Sequence, residues 1–97
     1  MTEYQQIKLR FKAILEPLNY EEVIIDKETD EMGSVYSIFA LEEKRFLLQW
    51  DGEEYFFSIE KWENEQWSML KNKVLESHED NFEKSIQALE KELKSCA

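Results

Sequence analysis

Phe46-Leu47-Leu48-Gln49-Trp50-Asp51-Gly52-Glu53-Glu54-Tyr55-Phe56-Phe57-Ser58-Ile59 decides the fold of this chain. Two runs of aromatic and aliphatic residues flank Asp51-Gly52, and a type I′ turn, which needs positive φ at both central residues, favours that dipeptide. With Asp51 and Gly52 as the loop, Trp50 faces Glu53, Leu48 faces Tyr55, and Phe46 faces Phe57. Partners across an antiparallel pair share a face of the sheet. Phe46, Leu48, Trp50, Tyr55, Phe57 and Ile59 therefore fall on one side, and Leu47, Gln49, Glu54, Phe56 and Ser58 on the other. A one-residue slip would turn the apolar set outward, so the register is expected to be well specified.

Working outward, Val35-Tyr36-Ser37-Ile38-Phe39-Ala40-Leu41 reads as the preceding strand, with the turn at Glu42-Glu43. A two- or four-residue turn places Val35, Phe39 and Leu41 on the apolar face and Tyr36, Ile38 and Ala40 on the reverse. A three-residue turn exchanges the two sets. Glu21 to Asp26 is a short strand with a β-branched centre. On the far side, Trp62 and Trp67 oppose each other if the chain turns at Glu63–Gln66. That reading makes 66–71 a fifth strand, although Trp67, Leu70 and Val74 also fit helical spacing.

Two helices bracket these strands. Tyr4, Ile7, Phe11, Ile14, Leu15 and Leu18 recur at helical spacing behind a Thr2/Gln5 capping pair, and Pro17 ends the helix near Leu15 or Glu16. Asp80 and Glu83 form a second capping pair ahead of Phe82, Ile86, Leu89 and Leu93. The expected elements are helix 3–16, strands 21–26, 35–41, 44–50, 53–61 and 66–71, and helix 81–95. Residues 1–97 thus read as a single two-layer α+β domain: an antiparallel four- to five-stranded meander with both terminal helices packed on one face.

Charge narrows the classes of function. The net charge is −10, and residues 21–66 supply all of it, with fourteen acids against four bases. Nucleic-acid and anionic-membrane binding rest on Lys and Arg neutralising phosphates, so this balance opposes both. It favours encounter with a basic protein. The chain has no apolar run of membrane-spanning length, no basic-then-apolar leader at Met1–Gln6, and one cysteine, Cys96. A cytoplasmic, reducing location is the expectation.

Catalytic and metal chemistry find little support. His78 and Cys96 are the only imidazole and thiol, too few for an ordinary zinc site. Asp26, Glu28, Asp30 and Glu31 resemble a calcium loop in composition. However, Glu31 stands where its glycine belongs and Ser37 where its bidentate glutamate belongs. Ser77-His78 are adjacent and do not aim at one another, and two glycines, Gly33 and Gly52, make no phosphate cradle. No catalytic residue, metal or cofactor is assigned, and the chain reads as a non-enzyme.

What remains is the reverse face of the sheet. Tyr36, Ile38, Leu47, Phe56 and Trp62 make an apolar and aromatic band there, flanked by Gln49, Glu53, Glu54 and Glu60. Anchors at the centre and charges at the rim are the composition of a protein-binding surface. In size, charge and element order the chain is similar in type to the compact acidic immunity proteins of bacterial toxin–immunity pairs, with no family motif to extend the likeness. The expectation is a small inhibitor of a basic partner such as a nuclease toxin. The alternatives are a phage-encoded inhibitor or nucleic-acid mimic, and a chaperone-like or structural homodimer closed through the open sheet face.

Overall fold

The computed structural model of the chain describes residues 3–29, 34–51, 56–74 and 79–97. Helix α1, Glu3–Leu15, buries Tyr4, Ile7, Phe11 and Leu15 along one stripe. It stops where Pro17 removes a backbone donor, and the chain tightens into a 3₁₀ turn at Glu16–Leu18. Asn19 takes a left-handed φ of 73°, its N–H donating to the Glu16 carbonyl, and Tyr20 N–H closes onto the Leu15 carbonyl at 3.1 Å. Leu18, expected on the helix's apolar face, is exposed instead, because the helix has ended before it.

Five strands follow: β1 Glu21–Glu28, β2 Ser34–Leu41, β3 Lys44–Asp51, β4 Phe56–Glu63 and β5 Gln66–Val74. They form one antiparallel meander in chain order. Helix α2, Glu79–Cys96, completes the chain, starting two residues earlier than its capping pair predicts. Thr2, Asp30, Glu31, Ser77 and His78 lie outside the described residues, as do the side chains of Asp80 and Phe82.

The β2–β3 turn is the two-residue one, since Leu41 pairs with Lys44 across Glu42-Glu43. Val35, Phe39 and Leu41 therefore share a face with Trp50, Phe46 and Lys44, as the alternation requires. The central hairpin differs from its expected pairing. Trp50 pairs with Phe57, Leu48 with Ile59 and Phe46 with Lys61, and Asp51, expected in the loop, pairs with Phe56. β4 is described from Phe56, and the expected strand residues 53–55 lie outside the described residues. The slip is even, so no residue changes face. It carries Ile59 from the level of Lys44 to that of Leu48, where only 1% of it remains exposed. Burial of an isoleucine outweighs the local preference of one dipeptide for a tight turn.

The ambiguous stretch after Ile59 is strand. Trp62 pairs with Trp67 and Glu63 with Gln66, leaving Asn64-Glu65 as a two-residue turn with φ of 54° and 62°. Both central residues are left-handed, the geometry a type I′ turn demands. β1 is the irregular strand. It carries two register shifts against β2, and Asp26, within the second, has a φ of 48°. β4 and β5 shift once, between Ile59 and Glu60.

Both helices cover the same face. Tyr4, Ile7, Phe11 and Leu15 of α1 and Ile86, Leu89 and Leu93 of α2 form one cluster with Phe39, Phe46, Leu48, Trp50 and Ile59. Ser37 sits among them with 0% exposure, and its hydroxyl is fully used. It lies 2.6 Å from the Tyr4 hydroxyl, accepts the Asp26 N–H at 3.0 Å, and donates to Asp26 Oδ1 at 3.3 Å. One donor and two acceptors are all a serine hydroxyl offers, so its burial leaves nothing unmet.

Candidate functional site

The second face of the sheet is built of three rungs, each crossing all five strands. The first runs Glu21, Ala40, Arg45, Trp62, Trp67. The second runs Ile24, Ile38, Leu47, Glu60, Met69. The third runs Lys27, Tyr36, Gln49, Ser58, Asn72. Among the described residues no helix packs over these rungs; both helices contribute to the cluster on the other side. Ile38, Leu47, Tyr36, Trp62 and Trp67 are half-buried by their neighbours in the sheet, Met69 is 51% exposed, and the small Ser58 is buried.

Sequence reasoning places Tyr36, Ile38, Leu47, Gln49, Glu60 and Trp62 on this face, and the register brings all six to it. Glu53 and Glu54 lie outside the described residues, as does the side chain of Phe56, whose backbone pairs with Asp51 and Val74. The band is concave at one end. There Val23, Ile24 and Ile38 form the apolar side of an open depression of about 850 Å³, which Trp62 and Trp67 also line. Glu43, Arg45, Glu63, Asn64 and Glu65 line the remainder. The two indoles meet edge to face, with ring centroids 5.3 Å apart and planes at 69°, an arrangement favoured by the quadrupoles of the rings.

Trp67, Val23, Ile24 and the turn residues are not assigned to a site by sequence reasoning. The Trp62/Trp67 pairing is legible as a hairpin. That the β2–β3 and β4–β5 turns fall at the same end of the sheet follows from strand order alone. The contribution of Val23 and Ile24 depends on the irregular register of β1, which leaves no trace in the alternation.

No family model, curated protein or solved structure matches this chain. The site is accordingly read from its own chemistry.

The two faces treat charge differently. On the helix side, carboxylates meet cations. Lys8 Nζ lies 2.9 Å from Glu22 and 2.7 Å from Asp26, Lys12 pairs with Glu16 and Glu22, and Arg10 pairs with Glu83 and Glu90. These contacts leave marks on titration. Its hydrogen bond with Lys8 holds the Asp26 carboxyl below the usual carboxylate range. Burial pulls the Lys8 ammonium down, but its bonds to Asp26 and Glu22 outweigh that and raise it. Burial pushes the Tyr4 phenol well up.

Around the depression the balance is reversed. Among the described residues no ion pair reaches Glu43, Glu60, Glu63 or Glu65. The cation that lines it, Arg45, donates instead to main-chain carbonyls, those of Glu42 at 2.5 Å and Lys44 at 2.9 Å.

No helix of the described residues is long and apolar enough to cross a membrane, and no group of three or more His, Cys, Asp and Glu side chains among them is arranged to hold a metal ion. Of the acids read as a calcium loop, Asp26 and Glu28 belong to strand β1. Cys96 ends α2 half-buried, 3.8 Å from the Ser95 hydroxyl, with no base beside it among the described contacts.

Proposed function

We propose that this chain is a small acidic binding protein that neutralises a basic protein partner through the second face of its sheet, with no catalysis of its own. The observation that carries the reading is an apolar and aromatic band over which, among the described residues, no helix packs, with carboxylates at its rim that form no ion pair among those residues. Exposed apolar patches bounded by polar groups mark interaction sites, and rim charges of one sign raise the rate of encounter with the opposite sign. The aromatic residues supply the affinity, because a desolvated ion pair need not add net binding energy. A nuclease toxin fits the chemistry of such a partner: its cleft must be basic to hold phosphates, and an acidic, aromatic surface seated there excludes the substrate. In that setting the chain acts as an immunity protein.

Self-association through the same face is disfavoured by charge, since a second copy would bring identical carboxylates together. The test is capture from an extract of the native host at low salt, with the wild-type chain and a Glu60→Lys/Glu63→Lys variant as paired baits. The expected product is a basic protein held by the wild type alone, whose nuclease activity returns when salt dissociates the complex. Equal capture by both baits, or a tight salt-insensitive homodimer in light scattering, overturns the reading.

A further inference from the structure

Resting on that reading, we propose that the depression between the β2–β3 and β4–β5 turns is a receptor for one arginine side chain of the partner.

Three observations converge on this occupant. The first is the aromatic pair. When two indoles meet edge to face, the ring contributing its edge keeps its own faces free of the other, and both rings here remain partly exposed. Among the described residues no cation stands over either indole, whereas Lys8 sits 5.9 Å from the Tyr4 ring on the helix side. An indole face is the strongest aromatic seat for a cation.

The second is charge. Among the described lining residues Glu43, Glu63 and Glu65 stand against one cation, Arg45, whose Nη1 donates to carbonyls of its own turn. An incoming cation therefore meets an excess of carboxylate.

The third is shape. Val23, Ile24 and Ile38 line the same depression as the two indoles. The matching ligand has an aliphatic stem that lies on that surface and a flat charged head that stacks on an indole while donating at its edge. Arginine has this form. Lysine carries a compact, strongly hydrated head that forfeits both the stacking and the bidentate bonds.

The test is NMR titration of the full chain with acetyl-Gly-Arg-Gly-amide, and with the same peptide carrying lysine or citrulline. The arginine peptide is expected to shift the indole N–H signals of Trp62 and Trp67 in a saturable way and to leave that of buried Trp50 in place. Binding should be at least tenfold weaker for the lysine and citrulline peptides, and at least fivefold weaker for the Glu63→Gln/Glu65→Gln variant. That variant alters two exposed side chains and leaves the core intact, and Trp62→Phe supplies a conservative aromatic control. Equal binding of citrulline, or shifts centred elsewhere, overturns the arginine receptor. A parallel arm uses nona-arginine at low salt. If nona-arginine binds equally to the wild type and to Trp62→Phe/Glu63→Gln/Glu65→Gln, the receptor is overturned and the acidic docking face stands. Failure of nona-arginine to bind the wild type overturns both.

Discussion

The two faces of one sheet are held to different rules. On the helix side Phe39, Phe46, Leu48 and Ile59 are sealed beneath α1 and α2, buried Ser37 has every hydrogen bond met although the Tyr20 hydroxyl in the same cluster has none, and carboxylates meet lysine or arginine. On the other side equally large residues stand half-open, and the carboxylates around them lack partners among the described residues. The strands are common to both, so strand chemistry cannot be the cause. Both helices lie on one face, and among the described residues no helix lies on the second. Interaction energy is spent internally on one face and left available on the other.

Mutations separate the faces by magnitude. Phe46→Ala, on the sealed side, should cost about 3–5 kcal/mol by chemical denaturation, through lost transfer energy and the cavity left behind. A cost below about 1 kcal/mol would mean that the helices do not grip this face. Lys8→Met should cost about 2 kcal/mol, less than a fully buried pair, because Lys12 lies 3.6 Å from Glu22 and retains part of the compensation.

The same variant tests the pH dependence. The folded-state pKa of Asp26 is depressed, so its contribution is present above the ordinary value of 3.8 and lost as pH falls through the folded one. Those of Tyr4 and Lys8 are raised, so their contributions are present below about pH 10 and lost as pH rises further. Denaturation midpoints measured across pH should fall at both extremes in the wild type, and Lys8→Met should flatten the acid limb.

Smaller effects belong to the open side. Glu65→Gly should stabilise the fold by about 1 kcal/mol, because Glu65 holds a φ of 62° that a side chain resists. A rise of a few degrees in Tm accompanied by weaker binding of a basic partner would show that stability at this turn is traded for a carboxylate. Met69→Thr should change stability by no more than about 0.5 kcal/mol. A loss of several kcal/mol would show that this face is covered and would erase the distinction between the two sides.

The architecture was legible because alternation and helical spacing agree throughout. Val35, Phe39, Phe46, Leu48, Trp50 and Ile59 declare one face by parity, and parity survives an even slip of register. Turn geometry was less legible. Asp51-Gly52 carries the stronger dipeptide signal, yet the two-residue loop with both central residues left-handed forms at Asn64-Glu65, where the Trp62–Trp67 pair holds the strands together. Long-range packing decides such cases. The face that carries the candidate site could be read for Tyr36, Ile38, Leu47, Gln49, Glu60 and Trp62. The depression could not, because it also depends on register shifts in β1 that no periodicity records.

Those shifts in β1 have a consequence for solubility. β1 is an outermost strand with a run of exposed branched side chains, Ile25 at 64% among them, and such an edge ordinarily invites another molecule to continue the sheet. Two register shifts and a left-handed Asp26 break the row of backbone donors and acceptors that a further strand would have to match. At the β1 edge, therefore, addition of a further strand beside the half-exposed apolar face is disfavoured.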